Sequence, residues 1–238
     1  MKLRSPTVKV LALVLGTVGL LALVRTVNAA PQASMLDASR VRLLDGPFKE
    51  RQELHRTGYL ASWEVDRLLY HYRATAGLAQ PPGVTSGCAG WDSGIFRGHM
   101  AGHFLSAASR MYAATGDTNY LNKANALVTG LAACQTALRT GHLAAFPESV
   151  LTTYEISGGH PNPSTTGWIL SPYYTIRLAL TGLLDAYRYL GNTQALAVAE
   201  AMSDRYATRM ATLTPAQIEN LLRTDGSYPS PPSTRSAQ

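Results

Sequence analysis

Apolar residues in this chain recur at helical rather than alternating intervals. From Ile95 onward Met100, Phe104, Leu105, Met111 and Tyr112 follow helical spacing, and Gly116-Asp117 closes the run. Leu121, Ala124, Leu127, Val128, Leu131 and Cys134 mark a second stripe, so the two segments predict a helical hairpin. A second hairpin is predicted further on. Its first helix carries Ile176, Leu180, Leu183, Leu184 and Tyr187, and its second carries Leu196, Ala199, Met202 and Tyr206. Both hairpins turn at a glycine, Gly116 and Gly191, and in both a leucine five residues later opens the next stripe. Their separation of 75 residues is too long for a tetratricopeptide array. Repeated hairpins of this kind build a solenoid or a closed ring of inner and outer helices. With little period-2 alternation, the fold class is all-α.

Smaller elements flank the hairpins. Asp45-Gly46-Pro47 reads as a helix start, with Phe48, Leu54 and Tyr59 carried toward Trp63. A short helix is expected over residues 65–70, broken by a loop from Gly77 to Gly90 that contains Pro81-Pro82-Gly83. Residues 141–172 read as a long connection, with Gly158-Gly159 and Pro161-Asn162-Pro163 precluding regular structure through its middle. Thr214-Pro215 caps a last short helix with Ile218, Leu221 and Leu222 on one face. Ser227 to Gln238 holds four Ser and three Pro in twelve residues, and residues 226–238 read as a disordered tail.

The N-terminus changes the picture of charge and compartment. Lys2, Arg4 and Lys9 precede an apolar run from Val10 to Val24, and Val27-Asn28-Ala29 supplies small residues for cleavage after Ala29 or Ala30. Residues 1–29 are therefore expected to be a secretory signal peptide, exporting the protein to the periplasm or the medium. The run is shorter than the roughly 20 residues a membrane span needs, although Arg25 leaves an uncleaved anchor open. Residues 1–29 hold four of the 21 Lys and Arg and none of the 15 Asp and Glu, so the remaining chain carries 17 against 15, a formal net charge of +2. No basic cluster survives to bind nucleic acid. Cys88 and Cys134 lie in no metal-ligand spacing, and one disulfide between them is open in an oxidising compartment.

One constellation could carry chemistry. Trp91-Asp92-Ser93 precedes Gly98-His99-Met100-Ala101-Gly102-His103, which sets two imidazoles four residues apart on one helix face. Such a face can hydrogen-bond a polar ligand or bind a metal, and the glycines remove bulk beside the rings. Two buried histidines satisfied by backbone would have the same spacing. Met100 stands where a HExxH metalloprotease carries its glutamate. Asp92 and Glu148 are the carboxylates expected to share a pocket with His99 and His103, a pairing suited to glycoside hydrolysis. Trp168, Tyr173 and Tyr174 could stack on a sugar ring, or simply pack in the core.

Taken in order, these segments resemble the β-L-arabinofuranosidase group of glycoside hydrolases, family 127 and its relatives. The matching stretches are Asp45-Gly46-Pro47-Phe48, Asp66-Arg67-Leu68-Leu69, Gly90-Trp91-Asp92-Ser93, Arg97-Gly98-His99 with Gly102-His103, Tyr112 to Asp117, Ala145-Phe146-Pro147-Glu148, Tyr173-Tyr174-Thr175 and Gly182 to Arg188. The resemblance covers residues 41–223 and implies part of an (α/α)6 toroid with a pentose furanoside as substrate, within arabinose-containing oligosaccharides or polysaccharides. Substrate-binding residues are then expected at Trp91, Asp92, His99, His103, Glu148, Tyr174 and Arg177. At Arg177 relatives commonly carry a histidine. The resemblance further implies a zinc-held cysteine nucleophile and a glutamate acid/base in the later half of the family domain. Cys88 and Cys134 do not match that nucleophile, and after Arg223-Thr224 the family's acid/base segment gives way to Asp225-Gly226-Ser227-Tyr228-Pro229. No catalytic or metal-binding residue is assigned here, and zinc is expected only in full-length relatives. The expectation is an N-terminal half of the catalytic domain over residues 41–225, preceded by a polar leader over residues 30–40. It is inactive alone and joined by an oligomeric partner or a complementing C-terminal half. A noncatalytic carbohydrate-binding module and a ligand-free helical scaffold are the competing readings.

Overall fold

The computed structural model describes residues 36–157 and 169–224. The signal peptide, most of the polar leader, the Gly-Gly and Pro-Asn-Pro stretch, Trp168 and the Ser/Pro tail lie outside the described residues. Among those described there are eight α-helices and no strand. They are α1 (Pro47–Leu54), α2 (Val65–Thr75), α3 (His99–Thr115), α4 (Thr118–Leu138), α5 (Ser149–Ser157), α6 (Pro172–Leu190), α7 (Thr193–Ala211) and α8 (Pro215–Thr224). None is long and apolar enough to cross a membrane.

The repeat read from the sequence is a repeat in structure. Gly116 and Gly191 close α3 and α6 in the left-handed conformation, at φ 75° and 67°, which a side chain would resist. The next residue then caps the following helix: Asp117 accepts from the Asn119 N–H and Asn192 from the Ala195 N–H. Thr214 opens α8 with a reciprocal box, its hydroxyl accepting from the Gln217 N–H while the Gln217 side chain accepts from the Thr214 N–H.

The two hairpins lie side by side, α3 against α6 and α4 against α7, as neighbouring hairpins do in an (α/α)6 toroid. The first contact is backbone on backbone. A Cβ on Gly102 would stand 2.3 Å from the Leu178 carbonyl, and one on Gly182 would stand 2.7 Å from the Gly102 oxygen. Gly102 therefore serves the packing of α3 on α6 rather than clearing space beside His103. Further along this seam Asp185 accepts two parallel bonds from Arg110, at 3.0 and 3.2 Å, and a third from the Ser106 hydroxyl. The second contact is stapled by Gln135, whose amide donates to the Gly141 and Val198 carbonyls at 3.0 Å each. Leu105, Leu127, Leu131, Leu183 and Met202 fill the space between the pairs and are wholly buried.

Three elements differ from the sequence expectation. The 141–172 connection contains α5, whose Leu151 and Tyr154 are buried and whose Tyr154 hydroxyl donates to the Leu170 carbonyl at 3.0 Å. Only tertiary burial reveals a helix with so many β-branched residues. α1 ends at Leu54 and passes into a wider helical turn, His55–Tyr59. Phe48, Leu54 and Tyr59 are exposed, and of the three it is Tyr59 that meets Trp63, edge-on at 5.7 Å between ring centres. α3 begins at His99 rather than Ile95, because Gly98 before it is left-handed at φ 83°, and Asp92 accepts from the Met100 N–H in its first turn.

Replacing Gly102 by Ala forces α3 and α6 apart and should cost about 3 kcal/mol. Ala at Gly58, where a Cβ meets nothing within 4 Å, should leave stability unchanged or raise it by up to about 1 kcal/mol. Urea unfolding reads both, and a Gly102→Ala protein as stable as the parent contradicts the seam.

Candidate functional site

The turn Gly90–Asp92 and the start of α3 are bound into one unit by Asp92. Its side chain is 2% exposed; Oδ1 accepts from the Met100 N–H at 2.8 Å and lies 3.3 Å from His99 Nδ1. The Asp92 carbonyl accepts from the Gly98 N–H at 3.2 Å, and the Gly98 carbonyl accepts from the buried Tyr72 hydroxyl at 3.0 Å. A Cβ at Gly98 would stand 2.4 Å from that of Ala145, so this glycine too is required by packing. Ile95 accepts from the Leu170 N–H at 2.8 Å, which ties the turn to the entry of α6.

His99 Nδ1 faces two acceptors, the Phe96 carbonyl at 2.7 Å and Asp92 Oδ1 at 3.3 Å. The tautomer with its proton on Nδ1 serves these acceptors, and Nε2 is then left as an acceptor for a ligand hydroxyl. The His103 ring lies 5.7 Å from that of His99. Burial, His99 and Arg177 together hold the His103 pKa below the usual histidine value, so the ring is neutral at neutral pH. Asp92 Oδ2 is buried with no protein partner.

Aromatic rings form the other wall. Phe96 packs on Trp91 at 5.7 Å, on His99 at 6.0 Å and on Tyr174 at 5.6 Å between ring centres. Trp91 is 69% exposed. Arg177, one turn after Tyr174, lies 5.3 Å over that ring. The structure thus brings Trp91, Asp92, His99, His103, Tyr174 and Arg177 together. Phe96 was missed by sequence reasoning, although it lies between Trp91 and His99 in a segment already singled out.

Glu148 has other partners. Its carboxylate pairs with Arg205 at 2.7 Å and Arg209 at 3.2 Å, and neither histidine of the α3 face bonds to it. Burial opposes ionisation, but the Arg205 and Arg209 guanidinium groups hold the carboxyl below its usual range. Arg209 also pairs with the buried Glu155 at 2.6 Å, and Tyr173 donates to Glu155 at 3.1 Å. The network clamps α5 to α7. Adjacent residues in the first turn of α6 therefore serve different clusters, Tyr173 this network and Tyr174 the aromatic wall.

Cys88 and Cys134 are free, buried thiols rather than a disulfide, and burial pushes both up to about 11. Among the described residues no three His, Cys, Asp or Glu side chains converge to hold a metal. The donor set here does not fit the zinc centre that the resemblance implies for the later part of the domain. A separate cavity of about 250 Å³ beside Cys88 is lined by Ser62, Trp63, Glu64, Arg67 and Ala89, and by none of the residues of the histidine face.

The arrangement, a buried carboxylate orienting a histidine beside stacked aromatic rings, suits a polyhydroxylated ring ligand. The family described as β-L-arabinofuranosidase, GH127 catalytic domain, matches residues 40–228. The chain belongs to this family of glycoside hydrolases, whose substrates are arabinofuranose-containing glycans. A comparison with curated proteins gives no match.

A histidine removed from this face makes stability depend on pH. His142 is 2% exposed, its Nε2 2.9 Å from the Phe146 carbonyl and its Nδ1 3.0 Å from the Tyr206 hydroxyl. Burial lowers its pKa, outweighing the opposing pull of the Phe146 carbonyl. Below about 6.5 the unfolded chain binds a proton that the folded chain resists, so stability falls as pH drops. Tm should decline from pH 7.5 to 5.5, with a shallower slope in His142→Gln. A Tm independent of pH across that range contradicts a neutral, buried His142.

Proposed function

We propose that the face built from Trp91, Asp92, His99, His103 and Tyr174 binds an arabinofuranose unit. The reading extends to this chain alone binding such glycans without hydrolysing them. The observation that carries it is the Asp92–His99 pair: it presents Nε2 as an acceptor at the edge of an exposed aromatic wall, where hydroxyls and C–H faces of a furanose can both be met.

Support for binding without turnover comes from the state of the chain's own reactive groups. A thiol held at about 11 is a poor nucleophile. Glu148, held ionised between two arginines, is ill suited to donate a proton at neutral pH. Exposed apolar side chains, among them Phe48 at 79% and Ile156 at 68%, support a surface covered in the working protein by a second copy or a complementing C-terminal half.

The test uses exported protein, whose mass reads cleavage after Ala29 or Ala30 and whose light scattering reads its assembly. Calorimetry should show binding of an L-arabinofuranosyl oligosaccharide, lost at least tenfold in His99→Ala on removal of one hydrogen-bonded anchor. No p-nitrophenol should be released from the β-L-arabinofuranoside. Absence of binding overturns the site; turnover by the chain alone overturns the noncatalytic reading.

A further inference from the structure

The histidine face carries one cation with no use for it in recognising a neutral sugar. Arg177 is exposed, and among the described residues its guanidinium makes no ion pair or hydrogen bond. Arg56, Arg73, Arg110, Arg205 and Arg209 each pair with a carboxylate. Arg177 instead lies 5.3 Å over the Tyr174 ring, in contact with the aromatic wall that ends at Trp91. Asp92 is not its counter-ion: that residue is buried, its Oδ1 is engaged by the Met100 N–H and His99, and it forms no ion pair with Arg177.

An arginine held on a ring face presents a planar fork of N–H donors whose orientation is largely set before a ligand arrives. That fork matches a carboxylate with two parallel bonds, whereas a sugar hydroxyl can take only one. The positive charge reaches across the face, because Arg177 is among the causes that depress His103. We propose that Arg177 is a specificity-determining residue that reads the carboxylate of a uronic acid carried next to the bound arabinofuranose, so that this chain prefers acidic arabinose-containing glycans to neutral ones. The inference rests on the sugar-binding reading above and adds the acidic neighbour to it.

The experiment compares two probes by calorimetry on the full chain: an arabinofuranosyl oligosaccharide bearing one glucuronate branch, and the same oligosaccharide unbranched. The parent protein should bind the acidic probe about tenfold more tightly, the scale of one charge-assisted hydrogen-bonded contact. The difference should shrink as salt is raised. Arg177→Gln should abolish the preference by bringing affinity for the acidic probe down to that for the neutral one, and Arg177→Lys should retain only part of it. Arg188→Gln, a change at an exposed arginine stacked on Tyr189, should change neither affinity. Equal affinity of the parent for both probes overturns the inference alone, as does a preference that survives Arg177→Gln or falls equally in Arg188→Gln. Loss of both probes in Arg177→Gln also overturns it, since Arg177 would then serve the neutral sugar. Failure of the parent to bind either probe overturns the sugar-binding reading itself.

Discussion

Helices α3 and α6 touch backbone to backbone at Gly102 and Gly182, and the site exists because they do. Their first turns, which begin at His99 and Pro172, are thereby laid side by side although more than seventy residues separate them in the chain. Phe96 can then pack on Tyr174, and Arg110 can reach Asp185 across the same seam. A methyl group at either glycine must be accommodated by backbone, which does not yield as a flexible side-chain tip does. Spacing the helices apart would open the aromatic wall as well as the core.

Charge is distributed around this seam with a clear division. Carboxylates inside the fold are engaged: Asp92 through its Oδ1 by a backbone N–H and a histidine, Asp185 by Arg110, and Glu155 by Arg209. Burying them unpaired would cost several kcal/mol each. Arg177, at the rim of the histidine face, is unmatched among the described residues. The pattern assigns the buried pairs to the fold and leaves the exposed cation available to a ligand, while the orientation of His99 links the two through Asp92.

The hairpins were legible because local chemistry specifies them: a glycine that accepts a positive φ, an Asp or Asn that caps the next turn, and apolar residues at helical spacing. The Asp92–His99–His103 grouping was legible for the same reason, since all three lie within twelve residues. What escaped sequence reasoning depends on distant partners. Glu148 has the sequence setting of a pocket carboxylate, but Arg205 and Arg209, 57 and 61 residues on, claim it. α5 was hidden by its Thr and Ile content. Gly98 and Gly102 suggest, from sequence, less bulk beside the histidines, whereas the space a side chain would take there is filled by Tyr72, Ala145 and Leu178.

The claim on which the functional reading stands is that His99 is held as the Nδ1-protonated ring with Nε2 offered to a sugar. Long-range proton–nitrogen spectra of the imidazoles, recorded while an arabinofuranosyl oligosaccharide is added, test it directly. The result expected is a protonated Nδ1 on His99 and ligand-dependent shifts at His99 and His103, with His142 unmoved. A His99 ring protonated at Nε2, or shifts confined to His142, would contradict it.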